Sequence, residues 1–248
     1  SIDTGKIPAQ LTHIFDEDRK KSELLITKLT HKPEIVENAH LLSSNPVDLV
    51  VEAASQQAVN DNALSILQNR KDLLIMSSGA LLDESVFEII SDACKELKKK
   101  VYLPSGAIAG IDALKSVKDE LDSVTLTTTK HPDSLRGAPF FENFKKNLDE
   151  IKETSTIFEG TASEAVRHFP KNVNVSALLS LAGLGSHETI VKVNVDPTTT
   201  KNTHVIVATG KFGKITIVIE NIPDEINPRT SRLAILSAIE TLRSICSD

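Results

Sequence analysis

Few residues in this chain have the type and setting to do chemistry. His204 stands alone in Lys201-Asn202-Thr203-His204, after a polar Thr-rich loop and at the start of an alternating apolar run. An imidazole titrating near pH 6.5 can act as a general base and then return the proton as an acid. A lone histidine is also a common structural or surface residue. Asn174, in Phe169-Pro170-Lys171-Asn172-Val173-Asn174-Val175, carries an amide donor and a carbonyl acceptor on one side chain. That suits a carboxamide or a ribose hydroxyl, and equally a helix N-cap. Lys130 and His131, in Thr129-Lys130-His131-Pro132, are candidates to hold an anionic group of a ligand. Lys201, Arg136 and Arg229 are further cations of a kind usually solvated at the surface. No His, Cys, Asp or Glu cluster has metal-ligand spacing. No Gly-x-Ser-x-Gly nucleophile elbow is present.

A second group of residues reads as nucleotide chemistry. Glu52-Ala53-Ala54-Ser55 and Ser77-Ser78-Gly79-Ala80 end successive apolar runs with small residues. Ligands of open α/β sheets bind at the carboxyl ends of the strands, which makes Ala53, Ser55 and Ser78 candidate cofactor contacts. The same residues are ordinary turn chemistry. Asp16 closes an earlier run, where a carboxylate accepts hydrogen bonds from an adenosine ribose; it or Asp18 could instead cap the next helix. Arg19 could take a ribose phosphate, so NAD and NADP both stay open. The Ser105-Gly106-Ala107 turn has no bulk to block a cofactor ring and exposes backbone N–H groups.

These residues need elements to position them. Over the first hundred residues, apolar runs at 9–15, 48–54, 72–76 and 101–103 alternate with helix-period stretches at 19–29, 58–68 and 84–99. Strands separated by such helices predict βαβ units and a parallel, doubly wound sheet. After Pro104 the texture changes. Residues 124–129, 188–196, 203–209 and 214–220 alternate with period two, as in a mixed or antiparallel sheet with one solvated face. Helical stretches at 161–169 and 173–184 lie between the first two of these strands, and a last helix runs over 228–246. The expected class is α/β: a Rossmann-type domain over 1–103, an α+β catalytic domain over 104–228, and a C-terminal helix over 229–248 that packs back on the first domain.

One part of the pattern is missing. A dinucleotide-binding half normally opens with a strand, Gly-x-Gly-x-x-Gly and a helix, whose N-terminus holds the phosphates. No such motif occurs here, and the only early glycine is Gly5. The simplest expectation is that about 20 residues of strand, turn and helix are absent from the N-terminus; the alternative is a lost cofactor site.

Composition excludes several classes. With 28 Lys plus Arg against 34 Asp plus Glu, the net charge of −6 lacks the basic footprint of sequence-independent nucleic-acid binding. No apolar run approaches the roughly 18 residues of a membrane span, and no apolar leader opens the chain. Two cysteines, Cys94 and Cys246, are too few for a disulfide scaffold. A cytoplasmic protein is expected.

Several segments are more particular: Pro104-Ser105-Gly106-Ala107-Ile108-Ala109-Gly110-Ile111-Asp112, Phe158-Glu159-Gly160-Thr161-Ala162, the run from Phe169 to Val175, and Asn227-Pro228-Arg229-Thr230-Ser231-Arg232-Leu233. With Glu52-Ala53-Ala54-Ser55 and Ser78-Gly79-Ala80-Leu81, they resemble the L-aspartate dehydrogenase family of the archaeal and bacterial type. The resemblance runs from Ala9 onward, and the absent Gly-rich turn is its one departure. It implies reversible oxidation of L-aspartate by NAD or NADP to iminoaspartate, which hydrolyses to oxaloacetate and ammonia and is thought to supply NAD biosynthesis. It places the catalytic histidine on His204, a nicotinamide-contacting asparagine on Asn174 and a cofactor-contacting alanine on Ala107, or on Ala109 with a two-residue slip. It also implies a homodimer, for which the sheet of the second domain offers a pairing surface. The other readings are a related two-domain reductase with another substrate, and a catalytically silent Rossmann-like binding protein.

Overall fold

The computed structural model describes residues 1–143, 148–170, 174–225 and 230–247. They fall into two compact units, Ser1–Pro104 with Ala238–Asp248, and Ser105–Ser237.

The first unit alternates strand and helix throughout: β1 (His13–Ile14), α1 (Arg19–Thr27), β2 (Glu34–Ile35), α2 (Ala39–Ser44), β3 (Leu49–Glu52), α3 (Gln56–Gln68), β4 (Asp72–Ile75), α4 (Glu84–Leu97) and β5 (Val101–Tyr102). All its strand pairs are parallel, in a two-stranded sheet β1-β2 and a three-stranded sheet β3-β4-β5. Side-chain caps start the helices: Asp18 accepts from Lys20 N, Asn38 from Leu41 N, Ser55 from Ala58 N and Asp83 from Val86 N. Leu73, Leu74 and Ile75 make β4 buried on both faces, as a central parallel strand must be. Val59, Ala63, Ile66 and Leu67 form the buried stripe of α3. The strand expected over 9–15 pairs only at His13–Ile14, and β2 and α2 were not expected. Two-residue strands have no period to detect.

The second unit contains α5 (Ile111–Ser116), β6 (Leu121–Lys130), α6 (Phe140–Asn143), β7 (Ser155–Thr161), α7 (Ala162–His168), α8 (Asn174–Ala182), β8 (Thr189–Val195), β9 (Asn202–Gly210) and β10 (Gly213–Asn221). A last helix, α9 (Arg232–Ser247), starts in this unit, and from Ala238 onward it belongs to the first. The five-stranded sheet has the order β10-β9-β6-β8-β7; β6 and β8 are parallel and the other pairs antiparallel. Residues 155–161 lack alternation, which hides β7 from the sequence.

Alternation gives this sheet one buried and one more open face. The buried face is a grid, and its registers fix the rows across β8, β6, β9 and β10. One end is apolar but for the Thr189 hydroxyl: Thr189, Val124, Ala208 and Ile215, then Val191, Leu126, Ile206 and Ile217. Helices α7 and α8 pack against β8, with Ala177, Leu178 and Leu179 of α8 buried. Gly210 closes β9 where any Cβ would lie 1.8 Å from the Glu120 carbonyl oxygen, so only glycine fits that approach.

Candidate active site

Toward the C-terminal end of β6 the same face turns polar. The third row is Val193, Thr128, His204 and Ile219. In the last row Val195 faces Lys130 and Asn202 faces Asn221; one step beyond Thr129↔Thr203, the β6–β9 register sets Lys130 beside Asn202. Two rows thus place five polar side chains where a core would be apolar: Thr128, Lys130, Asn202, His204 and Asn221, all buried.

His204 is 2 % exposed, and its Nδ1 lies 2.9 Å from Thr128 Oγ1. That bond fixes the ring, because the Nδ1 partner decides what Nε2 presents. Burial, and then the positive charge of Lys130, push the imidazole pKa down to about 3. Burial likewise lowers the Lys130 ammonium to about 8. A small cavity beneath β6 and β8 is lined by Thr128, Lys130, Leu135, Phe169, Ser176 and Val193. Asn221, 3 % exposed, donates its Nδ2–H to the Ala107 carbonyl at 2.9 Å. This ties the Ser105-Gly106-Ala107 turn to the end of β10; Gly106 and Gly110 let the chain turn there, with φ of +64° and +75°.

The other candidates are placed as follows. Asn174 is the exposed first residue of α8, so its side chain stands at the helix entrance. Ala107 is buried and Ala109 exposed. Lys201 lies on the open side, ion-paired to Glu220 at 2.7 Å. His131 starts a short helical turn, accepting from Asp133 N at 3.3 Å. Arg136 is taken up by Asp133 and Asp149. Arg229 lies outside the described residues.

In the first unit, Asp16 is exposed at the carboxyl end of β1 and accepts from Asp18 N, while Asp18 itself caps α1. Arg19 pairs with Glu23 at 3.2 Å. Ala53 and Ser55 are exposed at the end of β3, and Ser78 is buried after β4. Glu52 joins these strand ends: its carboxylate accepts from Ala54 N, Met76 N, Ser77 N and Ser77 Oγ. Thr128, Asn202, Asn221 and Glu52 were not singled out from the sequence. Only their positions at the polar ends of apolar strands could have flagged them.

This edge fits the ribose portions of a dinucleotide. It offers an exposed carboxylate after β1, Asp16, which accepts from Asp18 N and lies 3.7 Å from Lys21 Nζ, together with small residues after β3 and β4 and loops braced from behind by Glu52 rather than by bulky side chains. The Gly-x-Gly-x-x-Gly turn that cradles a pyrophosphate has no counterpart in the 248 residues.

A parallel Rossmann-like unit followed by a mixed-sheet unit carrying a buried histidine defines a two-domain nicotinamide-dependent oxidoreductase. Comparisons with known proteins agree on both parts. Residues 2–104 match the family described as homoserine dehydrogenase, NAD binding domain. Residues 112–245 match the one described as aspartate dehydrogenase, C-terminal. The L-aspartate dehydrogenase of Nitrosopumilus maritimus is 63 % identical over all of this chain and 91 % of its own length. That of Methanocella arvoryzae is 44 % identical over 99 % of this chain and 91 % of its own. The crystal structure of aspartate dehydrogenase from Thermotoga maritima aligns with a TM-score of 0.73 at 28 % identity, covering 96 % of this chain and 97 % of that one. The chain belongs to the aspartate dehydrogenase family.

Proposed function

We propose that the chain oxidises L-aspartate with NAD or NADP to iminoaspartate, which takes up water to give oxaloacetate and ammonium. The observation that carries this reading is the buried Thr128–His204 pair beside Lys130. The dinucleotide supplies the hydride acceptor when bound. Asp16, Ala53, Ser55 and Ser78 would hold its adenosine side, with Ala107 and Asn174 near the nicotinamide. In this reading the first unit holds the adenosine side of the cofactor, and the second carries the two nicotinamide contacts and the substrate residues. Asn221 keeps the Ala107 turn in place.

Lys130 takes a substrate carboxylate. With Nδ1–H donated to Thr128, Nε2 of His204 carries the lone pair. It accepts a proton from the water that adds to C2 and later returns it to the departing nitrogen. The imidazole is depressed by burial and by Lys130, so it rests neutral. An anion against Lys130 cancels part of that depression and makes His204 a stronger base when substrate is bound. The acid limb of kcat therefore lies at higher pH than the limb of kcat/KM.

NADH formation from L-aspartate and NAD⁺ at alkaline pH tests the reading. His204→Ala is expected to lower kcat by about 10²- to 10⁴-fold while NADH affinity stays unchanged. Absence of aspartate turnover in an enzyme that binds NADH tightly would turn the reading toward a reductase with another substrate.

A homodimer and a cytoplasmic setting complete the proposal, with the iminoaspartate feeding pyridine-nucleotide synthesis. The open sheet face carries Val205, Val207 and a row of threonines, and β10 exposes Val218 (61 %) and the following Ile222 (67 %). Both cysteines are free. Among the described residues no helix is long and apolar enough to cross a membrane.

A further inference from the structure

Within the polar rows, Thr128 and His204 are bonded to each other and Asn221 is bonded to Ala107 O. Asn202 differs. It is 4 % exposed, it sits on the buried face, and its amide makes no hydrogen bond among the described residues. Its amide tip, not fully enclosed like the Ser180 and Thr189 hydroxyls, is largely withdrawn from water with no protein group replacing that water, which costs part of its hydration. An apolar residue at this strand start would fill the same place without that cost. The amide's neighbours name the chemistry that would satisfy it. Lys130 lies beside it across β6–β9, where facing Cβ atoms are about 5 Å apart. His204 follows two residues along on the same face. Amide N–H donors next to a buried ammonium suit a carboxylate, and the short spacing lets both groups engage one small molecule.

We propose that Asn202 is the specificity-determining residue that hydrogen-bonds the side-chain carboxylate of the substrate, while Lys130 neutralises its charge. A neutral amide rather than a second cation lets two carboxylates enter a buried site without two positive charges repelling each other there. The assignment rests on the aspartate reading above and sharpens it, since it makes the site a reader of short dicarboxylates.

The test is calorimetric binding of succinate and of succinamate, its monoamide, with and without saturating NADH, to the wild type, Asn202→Ala and Asn202→Asp. Wild type is expected to prefer succinate. Asn202→Ala should lose roughly 10- to 100-fold in succinate affinity, the range of one hydrogen bond to a charged group, with NADH affinity within about twofold of wild type. Asn202→Asp should invert the preference toward succinamate; if its added charge prevents folding, Asn202→Ala decides. The proposal is overturned if wild type does not prefer succinate, if Asn202→Ala binds succinate as wild type does, or if it loses NADH in parallel. L-Aspartate turnover by the wild type is read separately. Its absence with the succinate pattern intact would sink the aspartate reading and leave Asn202 as a dicarboxylate reader.

Discussion

The candidate cofactor edge of the first unit is built from backbone and short side chains at strand ends, held by the Glu52 carboxylate. The candidate substrate site of the second unit is built from long polar side chains on a sheet face, held by cross-strand register. The first arrangement reads a ligand's shape and leaves little to lose by single substitutions. The second concentrates desolvated polar groups, so each substitution there trades function against stability.

The largest effects are expected where Thr128 holds the imidazole. Thr128→Val keeps the shape and removes the hydroxyl that orients His204. A fall in kcat of about 10-fold or more is expected, with a displaced pH profile, and Thr128→Ser should restore both. An unchanged profile would mean that packing alone holds the ring. Lys130→Met should move function and stability in opposite directions. Its ammonium is depressed to about 8 by burial, so it weakens the fold while charged, below that pH, and the penalty fades between about 8 and 10.5, where the unfolded chain still holds the proton. Removing it should raise stability at pH 7 by about 1–3 kcal/mol in urea melts while KM for aspartate rises. It should also release the charge-dependent part of the depression of His204. The burial part remains, so stability is still lost as pH falls below about 6.5, over a narrower window than in the wild type, where it extends to about 3.

On the backbone-built side the effects are smaller. Glu52→Gln leaves one acceptor oxygen for four donors; a loss of about 1–2 kcal/mol and a few-fold weaker NADH binding are expected. Equal losses at Glu52 and Lys130 in substrate affinity would erase the contrast. Smallest of all is Ser180→Ala with Thr189→Val, which removes two buried hydroxyls that find no hydrogen-bond partner among the described residues. That double variant should be neutral or slightly stabilising by thermal melt.

The sequence made the architecture readable wherever a period ran long enough. The α3 and α4 helices and the alternating strands β6, β8, β9 and β10 fall on their expected segments, and the parallel and mixed sheets follow from them. His204, Lys130 and Asn174 stood out by residue type. What makes them a site did not, because it is set by long-range pairing. Thr128 meets His204 across 76 residues, and Asn221 meets Ala107 across 114. No local pattern encodes such a register. Lys201 shows the converse: one residue before Asn202, it falls on the opposite face and pairs with Glu220.

That period of two gives Gly210 an influence well beyond its own turn. It ends the strand that bears His204, pressed so closely on Glu120 that nothing larger than hydrogen fits. Six residues separate it from the histidine, about 20 Å along the strand. A slip of one residue at that clasp would turn the imidazole and its neighbouring amide outward together. A residue without a side chain thus works as an indexing stop, and a bulkier residue there is expected to weaken chemistry at the strand's far end without touching it.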